Sequence, residues 1–394
     1  MLTDVEPSPT ETVADPVVRP IVLTAQVPAT DPCPVAQIKR DFGDQDLSLL
    51  TLFISPAADF DAVVAQAQHA YPDTDVVACS TAGEIGACGY DENQIIAVGF
   101  PAVGFATTSL MIEDIDQLTP QPLVDRLVLE RVKLQKQNRD MPNGFALLVV
   151  DGLSLAEDAL TAAISPALRD MPLFGGSAGD GMGFQKTLVS LNGKVARNAA
   201  VLTLFCSAYR THVFSLDHLV PTEKQMVVTD ADPARRIVKS INAEPAAPEY
   251  ARIMGKDPNQ LDRFTFASHP VVVRIGGTHH VRAIRQVNDD GDLVFFSAID
   301  EGMVLTTATP QNMVDHLTRK MAELSDNGAP AHIIGCDCIL RRIEAEQTQM
   351  TRDLSDILAR HNVTGFSTYG EQIGPLHVNH TMSGVAIYAP DRKR

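Results

Sequence analysis

The chain has 394 residues, 45% of them hydrophobic but only 5% aromatic, with 49 acidic against 32 basic side chains and a formal net charge of −17. That is enough apolar material for a large core and two or three domains, while the acidic balance excludes a phosphate-backbone binder, which needs clustered Lys and Arg. The longest apolar runs, 145–150 and 199–206, fall far short of the roughly 20 residues a membrane span needs; with no basic start followed by an apolar block, and six cysteines that read as buried thiols, a cytoplasmic protein without membrane insertion is expected.

Residues 1–34 hold seven prolines with acidic and Thr-rich spacing, which predicts a disordered lead-in where only 21–27 alternates enough for an edge strand. Residues 48–54 read as a short buried strand. Ser55 and Pro56 then supply an N-cap and first-turn proline for a helix with Phe60, Val63, Val64 and Ala67 on one face. A second apolar strand ends in the turn 79–86, and two strand-like runs follow at 94–100 and 105–112. Thr119-Pro120 opens a helix that bridges to the next unit.

The same order returns. Residues 145–150 are apolar, 154–157 read as a capping box, and the helix behind them leads to the turn 174–181. Asn192-Gly193 then marks a hairpin between strands at 187–191 and 194–205. A third copy runs from the strand 332–339 through a helix with Leu354, Ile357 and Leu358 to the turn 365–374 and the strand 382–388. The turn serines, Ser80, Ser177 and Ser367, fall at matching distances from their units' first strands, which argues for internal duplication. Between copies two and three, Asp232-Pro233 predicts a helix with Ile237, Val238 and Ile241, four β-rich runs fill 271–307, and Thr309-Pro310 opens another helix. The reading is an α/β protein of repeated β-α-turn-β-β units in two consecutive domains with mixed sheets, 35–245 and 246–394, after the lead-in.

The runs CSTAGEIG at 79–86, LFGGSAGDG at 173–181 and GFSTYGEQIG at 365–374 with HVNHT at 377–381 resemble the hallmarks of FIST proteins, sensory modules with N-terminal and C-terminal domains. HPVVVRIGG at 269–277, LVFFSAIDEGMVLT at 293–306 and DCILRRIEAE at 337–346 are similar to the branch whose members bind haem and respond to nitric oxide. The resemblance implies a small-molecule sensor, no catalytic turnover, a possible haem cofactor, and a histidine kinase or diguanylate cyclase/phosphodiesterase regulated in trans. An amino-acid sensor of the same family is the alternative. With no kinase or cyclase signature in the chain, output is expected through a separate polypeptide.

Small residues after a strand let the backbone bend, and consecutive amides in such a turn can form an anion-binding nest; Gly83, Gly179 and Gly370 are the residues able to take positive φ. Threefold recurrence equally fits a turn that only redirects the chain. The third copy is the richest, and Arg341, Tyr369, Gly370, Glu371 and His377 are the expected ligand-binding residues, with Arg341 at the end of an apolar strand where a guanidinium can fork onto an acid. Histidine is the usual proximal ligand of gas-binding haem. His377 and His269 are the candidate metal ligands, although residue type and spacing leave the axial ligand open. Residues 175–179 also fit G-x-S-x-G, so a serine hydrolase using Ser177 is the enzyme alternative; a hairpin follows Ser177 where a nucleophile elbow needs a helix.

Overall fold

The computed structural model describes residues 20–390. The chain opens with β1 (Leu23–Pro28) and α1 (Pro34–Phe42). The first unit is β2 (Leu47–Ile54), α2 (Phe60–Ala70), β3 (Asp75–Ser80), the hairpin β4 (Glu84–Gly86) and β5 (Gly89–Asp91), then β6 (Gln94–Pro101) and β7 (Phe105–Glu113). After α3 (Pro120–Gln137) the second unit repeats that order. It comprises β8 (Asn143–Val150), α4 (Glu157–Leu168), β9 (Leu173–Ser177), the hairpin β10 (Val189–Leu191) and β11 (Lys194–Ala196), then β12 (Ala199–Ser207) and β13 (Thr211–Leu216).

An insertion follows. It contains β14 (Leu219–Asp232), β15 (Ile237–Ile241), β16 (Glu244–Pro245), α5 (Ala246–Met254), α6 (Arg263–Ser268), β17 (Val271–Ile275), β18 (Thr278–Arg282), β19 (Ile284–Val287), β20 (Leu293–Phe295) and β21 (Val304–Pro310). Then α7 (Met313–Ser325) leads into the third unit: β22 (Pro330–Cys338), α8 (Ile339–Gln347), α9 (Thr351–Arg360), β23 (Val363–Thr368), the hairpin β24 (Glu371–Ile373) and β25 (Leu376–Val378), and β26 (Met382–Tyr388).

In every unit the first strand lies between the strand that follows the hairpin (β6, β12 and β26), antiparallel to it, and the second strand (β3, β9 and β23), parallel to it. The parallel pairs need the helical crossover that each unit carries. The hairpin, however, is donated. β4–β5 extends the third unit's sheet beside β23, β24–β25 extends the second unit's beside β9, and β10–β11 extends the first unit's beside β3. Strands β1, β7 and β13 complete the opposite edges. The exchange closes in a cycle, so none of the three six-stranded sheets is complete without its neighbours.

The serine-bearing turns lie where the cycle closes, and they are equivalent, as their spacing predicts. Ser80, Ser177 and Ser367 each donate a backbone N–H across to the residue before the incoming hairpin: Leu188 O at 3.0 Å, Gly370 O at 2.8 Å and Gly83 O at 2.7 Å. Each serine carbonyl in turn accepts from the neighbouring turn, from Gly179, Tyr369 and Ala82. These turn amides are thereby bonded to one another across the cycle. Of the three glycines only Gly83 takes positive φ, at 134°; at Gly179 close approach is the constraint, since a Cβ there would fall 2.7 Å from that of Ala82.

Strands buried on both faces read as near-continuous apolar runs. Their inward residues meet in one cluster that joins all three units, with Phe53 stacked on Phe366 at 4.5 Å and Phe145 on Phe205 at 4.2 Å. The helices cover the outer faces. The insertion forms its own eight-stranded sheet around Tyr250, Phe266 and Phe295. No helix among the described residues is long and apolar enough to cross a membrane.

Four local expectations are corrected. Residues 1–19 of the proline-rich lead-in lie outside the described residues, but 20–34 are ordered, because β1 pairs with β6 along its whole length. The helix expected at 233–241 is a single tight turn followed by β15; Arg236 takes φ 58°, which breaks a helix, and the β-branched residues after it pair with β14. Two helices begin later than their Ser-Pro and Thr-Pro signals: α2 is capped by Asp59, whose side chain accepts from Ala62 N, and α7 by Asn312, which accepts from Asp315 N. Finally, Arg341 lies in the first turn of α8 and not at a strand end.

Candidate functional site

The third turn divides its side chains between two faces, since residues alternate along a strand. Glu371 faces one way, where it accepts from Thr368 Oγ1, from Thr381 Oγ1 at 2.7 Å and from Thr381 N at 3.3 Å. Complete burial pushes its carboxyl up to about 8 against the pull of those donors. Glu84 is its counterpart in the first turn, bonded to Thr81 Oγ1 and Gln94 N and raised by burial to about 7. A Thr–Glu pair that recurs in two copies braces the turns.

Gln372 faces the other way, its Nε2 2.9 Å from Ser177 Oγ and 3.2 Å from His377 Nδ1. An amide nitrogen can only donate, so Nδ1 accepts and Nε2 of His377 carries the proton. That N–H is fully buried and has no partner. Burial lowers the imidazole's pKa, which favours the neutral ring. Gly370 must be glycine here, because a Cβ would fall 2.3 Å from His377 Cε1. Tyr369 stacks on Phe184 with centroids 4.3 Å apart, and its hydroxyl bonds Asp180 and donates to Gly181 O at 2.9 Å.

Arg341 belongs to a separate network. Its Nε donates to Asp337 Oδ1 at 2.7 Å and its Nη1 to His218 Nδ1 at 2.9 Å, while Tyr90 donates to Asp337 from the donated hairpin. Glu344 accepts from His218 Nε2 at 2.9 Å and lies 2.7 Å from His380 Nε2. Burial raises the Glu344 carboxyl, but the hydrogen bonds from His218 and His380 outweigh it and hold the group at about 2. His218, Glu344 and His380 are the one group among the described residues whose geometry could hold a metal ion. Their chemistry argues against it: a guanidinium can only donate, so His218 Nδ1 accepts, Nε2 keeps its proton, and no lone pair is left for a cation.

A cluster of open valences lies where the insertion meets the third turn. Arg282 of β18 is 5% exposed, yet its partners are two carbonyls, Val281 O at 3.1 Å and His377 O at 3.4 Å, and its Nε is unbonded. The Nε of Arg285 is also buried and unbonded, with the guanidinium 4.9 Å from the Phe184 ring centre. The Nε of Arg236 is unbonded as well, but its Nη2 is paired with Glu157 at 2.5 Å and Asp158 at 3.5 Å. Ser297 donates to Asn379 Oδ1 at 2.7 Å. Phe184 itself takes φ 50°, a left-handed conformation costly for a bulky residue, and is held there by its N–H bond to Asp180 Oδ1 at 2.6 Å.

Of the residues singled out in the sequence, the structure therefore gathers Tyr369, Gly370 and His377 at this junction. It turns Glu371 to the opposite face and commits Arg341 elsewhere. His269 ends α6 with Nδ1 3.0 Å from Ser268 Oγ and 3.1 Å from Thr265 O, and it shares no metal-ligating group with His377. Ser177 is fully buried, with its Oγ facing the Gln372 amide and no histidine. A cavity of about 430 Å³ lies beside β25, but it is lined by Leu376 and Val378, on the face away from His377. Sequence reading missed Arg236, Arg282, Arg285, Phe184 and Asn379. The signal that could have found two of them is the run VRAIR at 281–285, in which arginines interrupt an otherwise apolar strand.

No curated protein matches the chain. The FIST N domain matches residues 48–244 and the FIST C domain residues 246–374. Such domains are generally small-ligand sensors in signalling proteins, sensory and not catalytic. The chain belongs to the FIST family.

Proposed function

We propose that this protein is a cytoplasmic sensor that takes a small organic ligand, amino acids being the first class to test, at the junction between the third turn and the inserted sheet, and that it signals through a separate histidine kinase or cyclic-diguanylate enzyme. The observation that carries the reading is the His377 N–H, completely buried and without an acceptor. A buried polar group left unpaired is costly, and the ligand supplies the missing acceptor. Hydrogen exchange on the full chain with a panel of amino acids tests it: slower exchange across 369–380 is expected with one of them. A ligand that slows exchange only around the first turn sinks this placement. Adding the protein, with and without that ligand, to a candidate kinase and following autophosphorylation tests the output.

The haem and nitric-oxide reading has one observation in its favour, the same orphaned Nε2, which is the atom an axial ligand uses. As arranged the residues do not fit haem. Nε2 carries a proton while Gln372 donates to Nδ1, and the ring is packed against Gly370. Iron ligation requires the Gln372 amide to turn over so that its oxygen accepts from Nδ1–H. Protein from haem-supplied cells that shows a Soret band lost on His377→Ala establishes this reading; colourless protein removes it.

A further inference from the structure

We infer that the junction is a built site for an anionic group, a carboxylate or a phosphate, held by Arg282, Arg285 and His377, and that this anion clamps the inserted sheet to the triplicated body. The inference rests on the sensor reading above and names the charged end of its ligand. Three observations carry it.

The first is charge. Arg236 is matched by Glu157 and Asp158, whereas Arg282 bonds only carbonyls and Arg285 only an aromatic face. Neither Arg282 nor Arg285 has a carboxylate within ion-pair distance, since Asp158 acts on Arg282 and Asp180 on Arg285 only from farther away; for the buried Arg282 that leaves a desolvated charge without direct contact to a counterion, and a bound anion relieves the cost. The second is donor chemistry. Arginine presents N–H groups in a fork matched to carboxylate and phosphate oxygens, and the neutral His377 adds an N–H that is already buried and unpaired. All three are donors, which suits an acceptor-rich anion and not a metal ion or an amine.

The third is position. Arg282 and Arg285 come from the insertion, on β18 and just inside β19, while His377 and Tyr369 come from the body. They meet directly: Arg282 Nη1 reaches His377 O at 3.4 Å, and Phe184 lies against both Tyr369 and Arg285. The body and the insertion are otherwise tied here by Arg236 to Glu157 and by Ser297 to Asn379. An anion bonded to donors from both parts favours the docked arrangement by its differential affinity, which is how a ligand shifts a conformational equilibrium. The device converts occupancy into the position of the insertion.

The test uses the full chain with sodium acetate and inorganic phosphate as probes, against sodium chloride at matched ionic strength. A saturable rise in melting temperature above the chloride control is expected, together with slower hydrogen exchange at 281–286 and 369–380. Response to acetate alone identifies a carboxylate site, to phosphate alone a phosphate site, and to both a general anion site. Arg282→Gln should abolish the response and Arg285→Gln should weaken the apparent affinity at least tenfold. Arg285 is only half-buried, so its variant remains informative even if Arg282→Gln folds poorly. Arg274→Gln, on the exposed part of the neighbouring β17, should respond like the wild type. The inference is overturned if neither anion exceeds chloride, or if both variants keep the wild-type response. If an uncharged ligand slows exchange at 369–380 while neither anion acts, the sensor reading stands and the anionic clamp falls; if nothing slows exchange there, both fall.

Discussion

Arg341 and Arg282 are both buried, at 1% and 5% exposure, and their surroundings differ in kind. Arg341 sits in a chain of matched donors and acceptors running from Tyr90 through Asp337, His218 and Glu344 to His380, whose Nδ1 alone is left without a partner. Arg282 faces two carbonyls and leaves Nε unbonded, beside an orphaned histidine N–H. A satisfied buried network fixes one arrangement of the elements that contribute to it, here the donated hairpin of the first unit, α8 and the strand junction at His218. An unsatisfied one retains binding capacity. The contrast separates the arginine most conspicuous in the sequence, which is scaffold, from Arg282 and Arg285, at the end of β18 and in β19, on which the proposed anion site is built.

The largest effect that can break this contrast is expected from Arg341→Ala. Removing one member of a buried ion pair leaves Asp337 uncompensated and His218 without its donor, so urea denaturation should show a loss of about 3–5 kcal/mol. A loss under about 1 kcal/mol would mean that the network is not structural.

Next comes pH. Glu371 and Glu84 have folded pKa values of about 8 and about 7, above the unfolded carboxylate range, so the folded state keeps their protons longer. Their contribution is fully present below about 4.3 and is lost as pH rises through the folded values. Glu344, held at about 2, works in the opposite sense, its contribution present above the unfolded value and lost as pH falls toward 2. Urea midpoints should peak in mildly acid buffer, and Glu371→Gln should remove on the order of 4–5 kcal/mol of the decline toward pH 8. An unchanged alkaline slope in that variant contradicts the assignment.

The three turn serines offer a smaller and sharper comparison. Ser80 Oγ accepts from Leu188 N at 3.0 Å and Ser177 Oγ from Gln372 Nε2 at 2.9 Å, whereas Ser367 Oγ is buried without a partner. Replacement by alanine should cost about 1 kcal/mol at each of the first two and almost nothing at Ser367. Equal losses at all three, by thermal or chemical melts, would show that the bonds to the hydroxyls do not matter.

The smallest effect is predicted for Arg282→Gln in anion-free buffer. Because it removes an unpaired buried charge, stability should change by less than ~1 kcal/mol and in the direction of a gain. A loss comparable to that of Arg341→Ala would erase the distinction between the two arginines.

The triplication was legible because each copy repeats a strand, a helix and a small-residue turn at similar spacing, and periodicity is a local property of the chain. Where local signals conflict, tertiary pairing decides: 237–241 contains apolar residues at helical spacing, yet pairs as a strand with β14 once Arg236 turns the backbone into the left-handed region. Lead-in prolines similarly do not prevent 23–28 from pairing with β6, because a residue at a sheet edge needs fewer backbone donors.

Residue type and spacing alone mark the third turn as the richest copy, and they single out Tyr369, Gly370 and His377, which the fold places where the insertion meets that turn. They could not determine that Glu371 turns away, nor that Arg341 is spent on Asp337 and His218, which lie 4 and 123 residues away in the chain. Which buried group is satisfied depends on partners brought together across long separations, by hairpins exchanged between units and by an insertion folded back onto the body. Residue type sets what a side chain can donate or accept; long-range packing settles what is left unpaired, and at Arg282, Arg285 and His377 that remainder is the site we propose.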